Sequence, residues 1–174
     1  MKKQLLLATL ILGITKATSA QSILNVQPEL IIKTVVAKGS VRMNEFGEHS
    51  DWLEAYNTTN QSIDLSEGDY YISDNPRRKR KFKLKKGVIP AKSSIVIWCD
   101  DQGGIRNQIH ANFKLSSRGE TLTISKLVGK EQIVIDQIVY EALQENGQMA
   151  LVRKAGELKL MQLSNSSNPI SFTE

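Results

Sequence analysis

Eight cations fall within ten residues: Arg77, Arg78, Lys79, Arg80, Lys81, Lys83, Lys85 and Lys86. Lys81, Lys83 and Lys85 recur at a period of two around Phe82 and Leu84. On an extended strand their ammonium groups would share one face at intervals of about 6–7 Å. That spacing suits successive phosphates of an anionic polymer, and the arginines add the capacity for bidentate contacts. Five such contacts on duplex DNA would give a slope of about −4.5 in log K against log salt. A nucleic acid, an anionic glycan and a lipid headgroup all meet these terms, and the run specifies no base or sugar. The competing reading is a solubility device, because lysines on an exposed strand keep a sheet edge from pairing with its neighbours.

Other chemistries have thinner support. Asp74-Asn75 precedes Pro76, and Asp100-Asp101 precedes Gly103-Gly104. Oxygen ligands in flexible loops are what calcium takes, but the EF-hand spacing is missing, and Asp and Asn favour turns simply by bonding their own backbone. Glu45, Asp51 and Glu54 are carboxylates that could pair for acid–base work. The alternative is that they, with Asn44, accept backbone amides at loop starts. His49 and His110 are the only histidines and lie in no H-E-x-x-H pattern; a site joining them to Cys99 or an aspartate has no support from spacing. No serine stands in G-x-S-x-G, and Gly103-Gly104 opens no helix that could cradle a phosphate. The expectation is a non-enzyme with no metal and no cofactor. Cys99 ends the apolar run Ile95–Cys99 and is expected to pack as a small hydrophobe. Trp52 and Trp98 lie in apolar runs that read as core, with an exposed sugar-binding platform as the alternative.

The elements that position these residues read as strands. Short runs rich in Val, Ile, Thr, Tyr and Leu are separated by Gly, Asn, Asp, Ser and Pro. They cover 30–37, 41–45, 52–56, 70–73, 79–84, 94–99, 109–115, 120–127, 132–140, 149–153 and 158–163. Such spacing without helical periodicity predicts an all-β protein, a sandwich or barrel. Phe82 and Leu84 are expected inward and the lysines beside them outward. Consecutive apolar residues at 95–99 and 133–135 predict strands covered on both faces. Ala155-Gly156 reads as a hairpin turn.

Composition agrees with one ordinary globular domain: 174 residues, 40% hydrophobic and 24% charged. The start is set apart. Lys2 and Lys3 lead into the apolar run 5–14, and Thr18-Ser19-Ala20 supplies small residues, the pattern of a secretory signal peptide cleaved near Ala20. The apolar run is too short for a permanent transmembrane anchor, which needs about 20 residues, and no cysteine stands there for a lipoprotein anchor. The expected mature protein is exported, to the periplasm or the extracellular space. Without Lys2, Lys3 and Lys16 the net charge of +5 falls to +2, and outside residues 77–86 the balance is acidic. A single cysteine allows no intramolecular disulfide. The layout predicted is a signal peptide at 1–20, an N-terminal segment with a leading strand at 21–40, a β domain at 41–163 and a tail at 164–174.

Several pieces in order carry a family likeness: Asn44-Glu45-Phe46, Asp51-Trp52-Leu53-Glu54-Ala55-Tyr56-Asn57, Asp64-Leu65-Ser66, Ser73-Asp74 and Val88-Ile89-Pro90 with Ile95–Trp98. They are followed by His110-Ala111-Asn112-Phe113-Lys114-Leu115-Ser116 and Gly119-Glu120-Thr121-Leu122. This order resembles the lamin tail domain, particularly secreted bacterial members, from about Val41 to Tyr140. The resemblance implies an immunoglobulin-like β-sandwich of about 8–10 antiparallel strands. It also implies a non-catalytic module that binds proteins or DNA in lamins and accompanies extracellular hydrolases or nucleases in bacteria. Its polar signature falls on Asn44, Glu45, Asp51, Glu54, Asn57 and Asp64. Ala55 in place of the usual Leu, Tyr70 where Trp is common, and the heavy basic run depart from the pattern. The function expected is an exported binding or adhesion module holding an anionic partner through Arg77–Lys86. A structural or protein–protein interaction module of the cell envelope is the alternative.

Overall fold

Alternation of apolar and polar side chains builds two sheets that share one core. The structure, a computed structural model, describes residues 28–38, 42–142 and 149–162. The segment 1–20 expected as a signal peptide and the expected tail at 164–174 lie outside these. The described strands are β1 (Leu30–Val36), β2 (Asp51–Asn57), β3 (Ile63–Asp64), β4 (Tyr70–Ser73), β5 (Phe82–Leu84), β6 (Val88–Ile89) and β7 (Ser94–Cys99). The chain continues through β8 (Gly104–Ile105), β9 (Ile109–His110), β10 (Gly119–Val128), β11 (Glu131–Glu141), β12 (Met149–Lys154) and β13 (Glu157–Gln162). Among the described residues there is no helix. The larger sheet runs β13-β12-β1-β2-β7-β9-β8, the smaller β11-β10-β4-β5, and β3 pairs with β6 alone. This is the all-β sandwich that the strand count and the family resemblance predict.

The core lies between the two larger sheets. Leu30, Ile32, Leu53, Ala55 and Ile97 face Ile72, Leu84, Leu122, Ile124 and Ile138 across it, all buried. Burying each large aliphatic side chain contributes about 1.5–3 kcal/mol. A bulge between Ile32 and Thr34 re-aims β1, so that Val35 joins the core while Val36 turns to the other face. On that outer face Val36, Trp52, Trp98 and Val152 form a second buried cluster. Both tryptophans are therefore packed, but outside the sandwich core.

Several strand expectations need correction. Only Phe82–Leu84 of the run 79–84 is strand, because Pro76 opens a turn in which Arg78 N–H donates to Asn75 O at 2.9 Å. The run 109–115 is strand only at Ile109–His110; beyond it Ala111, Phe113 and Leu115 bury their side chains in irregular chain that closes one end of the core. Residues 42–45 hold a single bridge, Met43 to His49. The pairing is antiparallel except between β7 and β9, which run parallel. Ile133 is exposed, not covered. Phe82 and Leu84 face the core as expected.

Candidate functional site

The basic run is held by a hairpin whose last strand is a sheet edge. β4 pairs with β5 in the register Tyr70 to Leu84, Tyr71 to Lys83 and Ile72 to Phe82, and among the described residues β5 has no strand beyond it. The turn between them presents Arg77, Arg78, Lys79 and Arg80 as exposed side chains. Lys85 and Lys86 are exposed just past the end of β5.

The three lysines at period two do not behave alike. Lys81 is half-buried, with Nζ 2.7 Å from both carboxylate oxygens of Asp74 and 5.1 Å from the Phe113 ring centroid. Lys83 bonds Asp69 and stands 5.9 Å from the Tyr71 ring. The hydrogen bond to Asp69 holds the Lys83 ammonium above its ordinary range. These two cations are partly answered from within the protein, while Lys85 is not so held. Open positive charge therefore sits at both ends of the run, in Arg77, Arg78 and Lys79 and in Lys85 and Lys86. The signal for this was present in the sequence. Asp69 and Asp74 flank β4, where a hairpin brings them near Lys83 on β5 and Lys81 just before it, and opposite charges across a strand pair attract.

Beside β5 runs a groove of about 580 Å³. Arg80, Lys81, Lys83, Lys85 and Lys86 line it, with Gly103 and Gly104 on the facing side. Gly104 opens β8, the terminal strand of the larger sheet. The groove therefore lies between the free edges of both sheets, and among its described lining residues there is no carboxylate. An extended anion laid there would meet a row of cations. The arrangement supplies electrostatic attraction to an anion.

The six polar signature residues lie elsewhere and mostly hold backbone. Asn44 Oδ1 accepts from Phe46 N and Glu48 N at 3.0 Å each. Asp51 accepts from Lys38 N at 2.6 Å and Leu115 N at 2.9 Å. Burial pushes its carboxyl above the usual range. Asn57 is buried, donates to Gln61 O, Ile89 O and Pro90 O, and accepts from Thr59. Asp64 accepts from Ser66 N and Oγ, and those hydrogen bonds lower its carboxyl pKa. Glu54 differs: it is buried on the outer face and accepts from Thr34 Oγ1 at 2.8 Å.

Glu45 joins a cluster that spacing did not reveal. His110 is buried, with Nδ1 2.6 Å from Asp100 Oδ2 and Nε2 3.2 Å from Glu45 Oε1. Glu45 also accepts from Gln108 N, while its own N–H donates to Gln108 Oε1. Burial alone would raise the Glu45 carboxyl, but the bonds from Gln108 and His110 outweigh it and hold it below the usual range. His49 is exposed and faces Arg42 O. One carboxylate in each of the two candidate calcium loops has a protein partner: Asp74 holds Lys81, and Asp100 holds His110, while Asp101 is exposed. Among the described residues no group of three His, Cys, Asp or Glu side chains is arranged to hold a metal ion. Cys99 is fully buried, and burial pushes its thiol well above the ordinary range, which keeps it in the unreactive protonated form.

A family model described as Lamin Tail Domain matches residues 25–142. No curated protein and no solved structure matches the chain. The matched span takes in β1 through β11, the whole of the smaller sheet and the basic hairpin. With the sandwich architecture and the ordered signature residues in place along that span, the chain belongs to the lamin tail domain family.

Proposed function

We propose that the chain is an exported, non-catalytic binding module that attaches to an extended anionic polymer along the groove beside β5. The observation that carries this reading is the groove itself: five basic side chains line it and no described acidic residue does. Between residues 69 and 86 the sequence sets eight cations against two carboxylates, and the two carboxylates sit on Lys81 and Lys83. The remaining cations are exposed, so they can reach successive anionic groups without disturbing the fold. Attachment then rests on displaced counterions and tolerates many sequences or sugars. The leader at 1–20 supports a role outside the cytoplasm, where anionic glycans and released nucleic acid are both within reach.

The test replaces Arg77, Arg78, Lys85 and Lys86 together by serine and measures binding to heparin and to duplex DNA at low salt. All four side chains are exposed, so thermal unfolding should match the parent within about 0.5 kcal/mol. Binding is expected to fall by at least about tenfold. Equal binding by parent and variant would reduce the basic run to a solubility device and move the search to protein partners.

A further inference from the structure

A second cavity, of about 430 Å³, lies next to the groove but is built differently. β9 pairs with β7 only at Ile97 and Trp98. The chain before Ile109 peels away, so among the described residues this edge of β7 at 94–96 has no strand beside it. The notch left there is the cavity. Ile95, Val96 and Trp98 give it an apolar wall, and Arg42, Lys86 and Arg106 stand around it, with no described acidic residue among its lining.

The two arginines are held in place before any ligand arrives. The Arg42 guanidinium lies 4.6 Å from the Trp52 ring centroid, and that of Arg106 lies 4.9 Å from the Phe46 ring centroid. A guanidinium over an aromatic face is attracted to it and can still turn N–H donors to a ligand. The Phe46 platform is itself seated, its ring 5.3 Å from His110, which Asp100 and Glu45 hold from either side. Trp98 Nε1 donates to Gln108 Oε1, which ties down the loop carrying Arg106. Three cations around one apolar wall favour a dianion carried on a compact apolar body over a bare anion or a neutral ring.

We propose that this notch is a second binding site, one that takes a phosphate monoester attached to a small apolar group. It is separate from polymer attachment, although Lys86 lines both spaces.

An amide NMR titration of the full chain with phenyl phosphate tests it. Saturable shifts are expected at 94–98, 106–109 and the Trp98 indole N–H. Arg106→Met and Arg42→Met should each weaken binding by about tenfold. Lys130→Gln, which removes an exposed charge elsewhere, should leave it unchanged. Inorganic phosphate, benzoate and benzyl alcohol should each bind at least about tenfold more weakly than phenyl phosphate. Tight binding of inorganic phosphate or benzoate, equal loss in Lys130→Gln, full binding by Arg106→Met, or no saturable shift would each overturn the proposal.

Discussion

Asn57 illustrates how the signature residues act. Its buried side chain reaches three carbonyls at 2.7–3.0 Å, and Oδ1 takes the Thr59 N–H and hydroxyl, which pins the loops before β3 and after β6 to the end of β2. Asn57→Ala strands these groups away from water, and leaving a buried polar group without a partner costs about 1–3 kcal/mol. A loss of about 3 kcal/mol is expected from urea unfolding, and a loss below about 1 kcal/mol would contradict the assignment. Glu120 carries a pH prediction. It accepts from Ser116 N and the Tyr140 hydroxyl at 2.8 Å each, and burial raises its carboxyl above the ordinary range. A folded-state pKa above the unfolded value means that the folded chain holds this proton more tightly. The resulting stability is full in acid and is lost as pH rises through the folded value. Glu120→Gln mimics the neutral acid, so its stability relative to the parent should improve between pH 4 and pH 7. Parallel urea titrations at the two values check the sign, and no change would contradict it. Residue types alone marked Asn44, Glu45, Asp51 and Glu54 as acceptors of backbone amides, which the first three are, whereas Glu54 takes the Thr34 hydroxyl instead. They did not reveal His110 between Asp100 and Glu45, since those three positions meet only when β9 folds beside β7.

At the scale of elements, alternation was legible wherever a strand is long. The bounds of β4 and β7 match the sequence reading residue for residue, and β2, β10 and β11 match within a residue or two. The two-residue strands β3, β6 and β8 were not legible, because two residues carry no period. Nor was the parallel pairing of β9, which depends on where the chain returns. Asp136 is another long-range device. On β11, it accepts from Ile32 N at 2.7 Å, on β1, and takes two bonds from Arg153, on β12, at 2.9 and 3.1 Å. One buried carboxylate thus joins the edge of the smaller sheet to the larger one beside the β1 bulge. Removing its cation leaves a buried charge short of a partner, which costs about 3 kcal/mol or more. Arg153→Ala should lower stability by that amount in urea unfolding, and a loss under about 1 kcal/mol would show that the pair is solvated.

Across the whole molecule, charge is segregated. Outside residues 1–20 and 77–86, acidic residues outnumber basic ones, and the basic run is gathered on a hairpin where the free edges of both sheets meet. The sequence showed the run and its period but not its division. Asp69 and Asp74 answer the middle lysines, so the open charge lies at the two ends and the groove between them. The most direct measurement of polymer attachment is the salt dependence of full-chain binding to duplex DNA, set beside the variant lacking Arg77, Arg78, Lys85 and Lys86. With about five phosphates contacted, the log–log slope should lie near −4.5, and the variant's should flatten to about −1. A parent slope already near −1, or equal slopes for the two proteins, would contradict attachment through this surface.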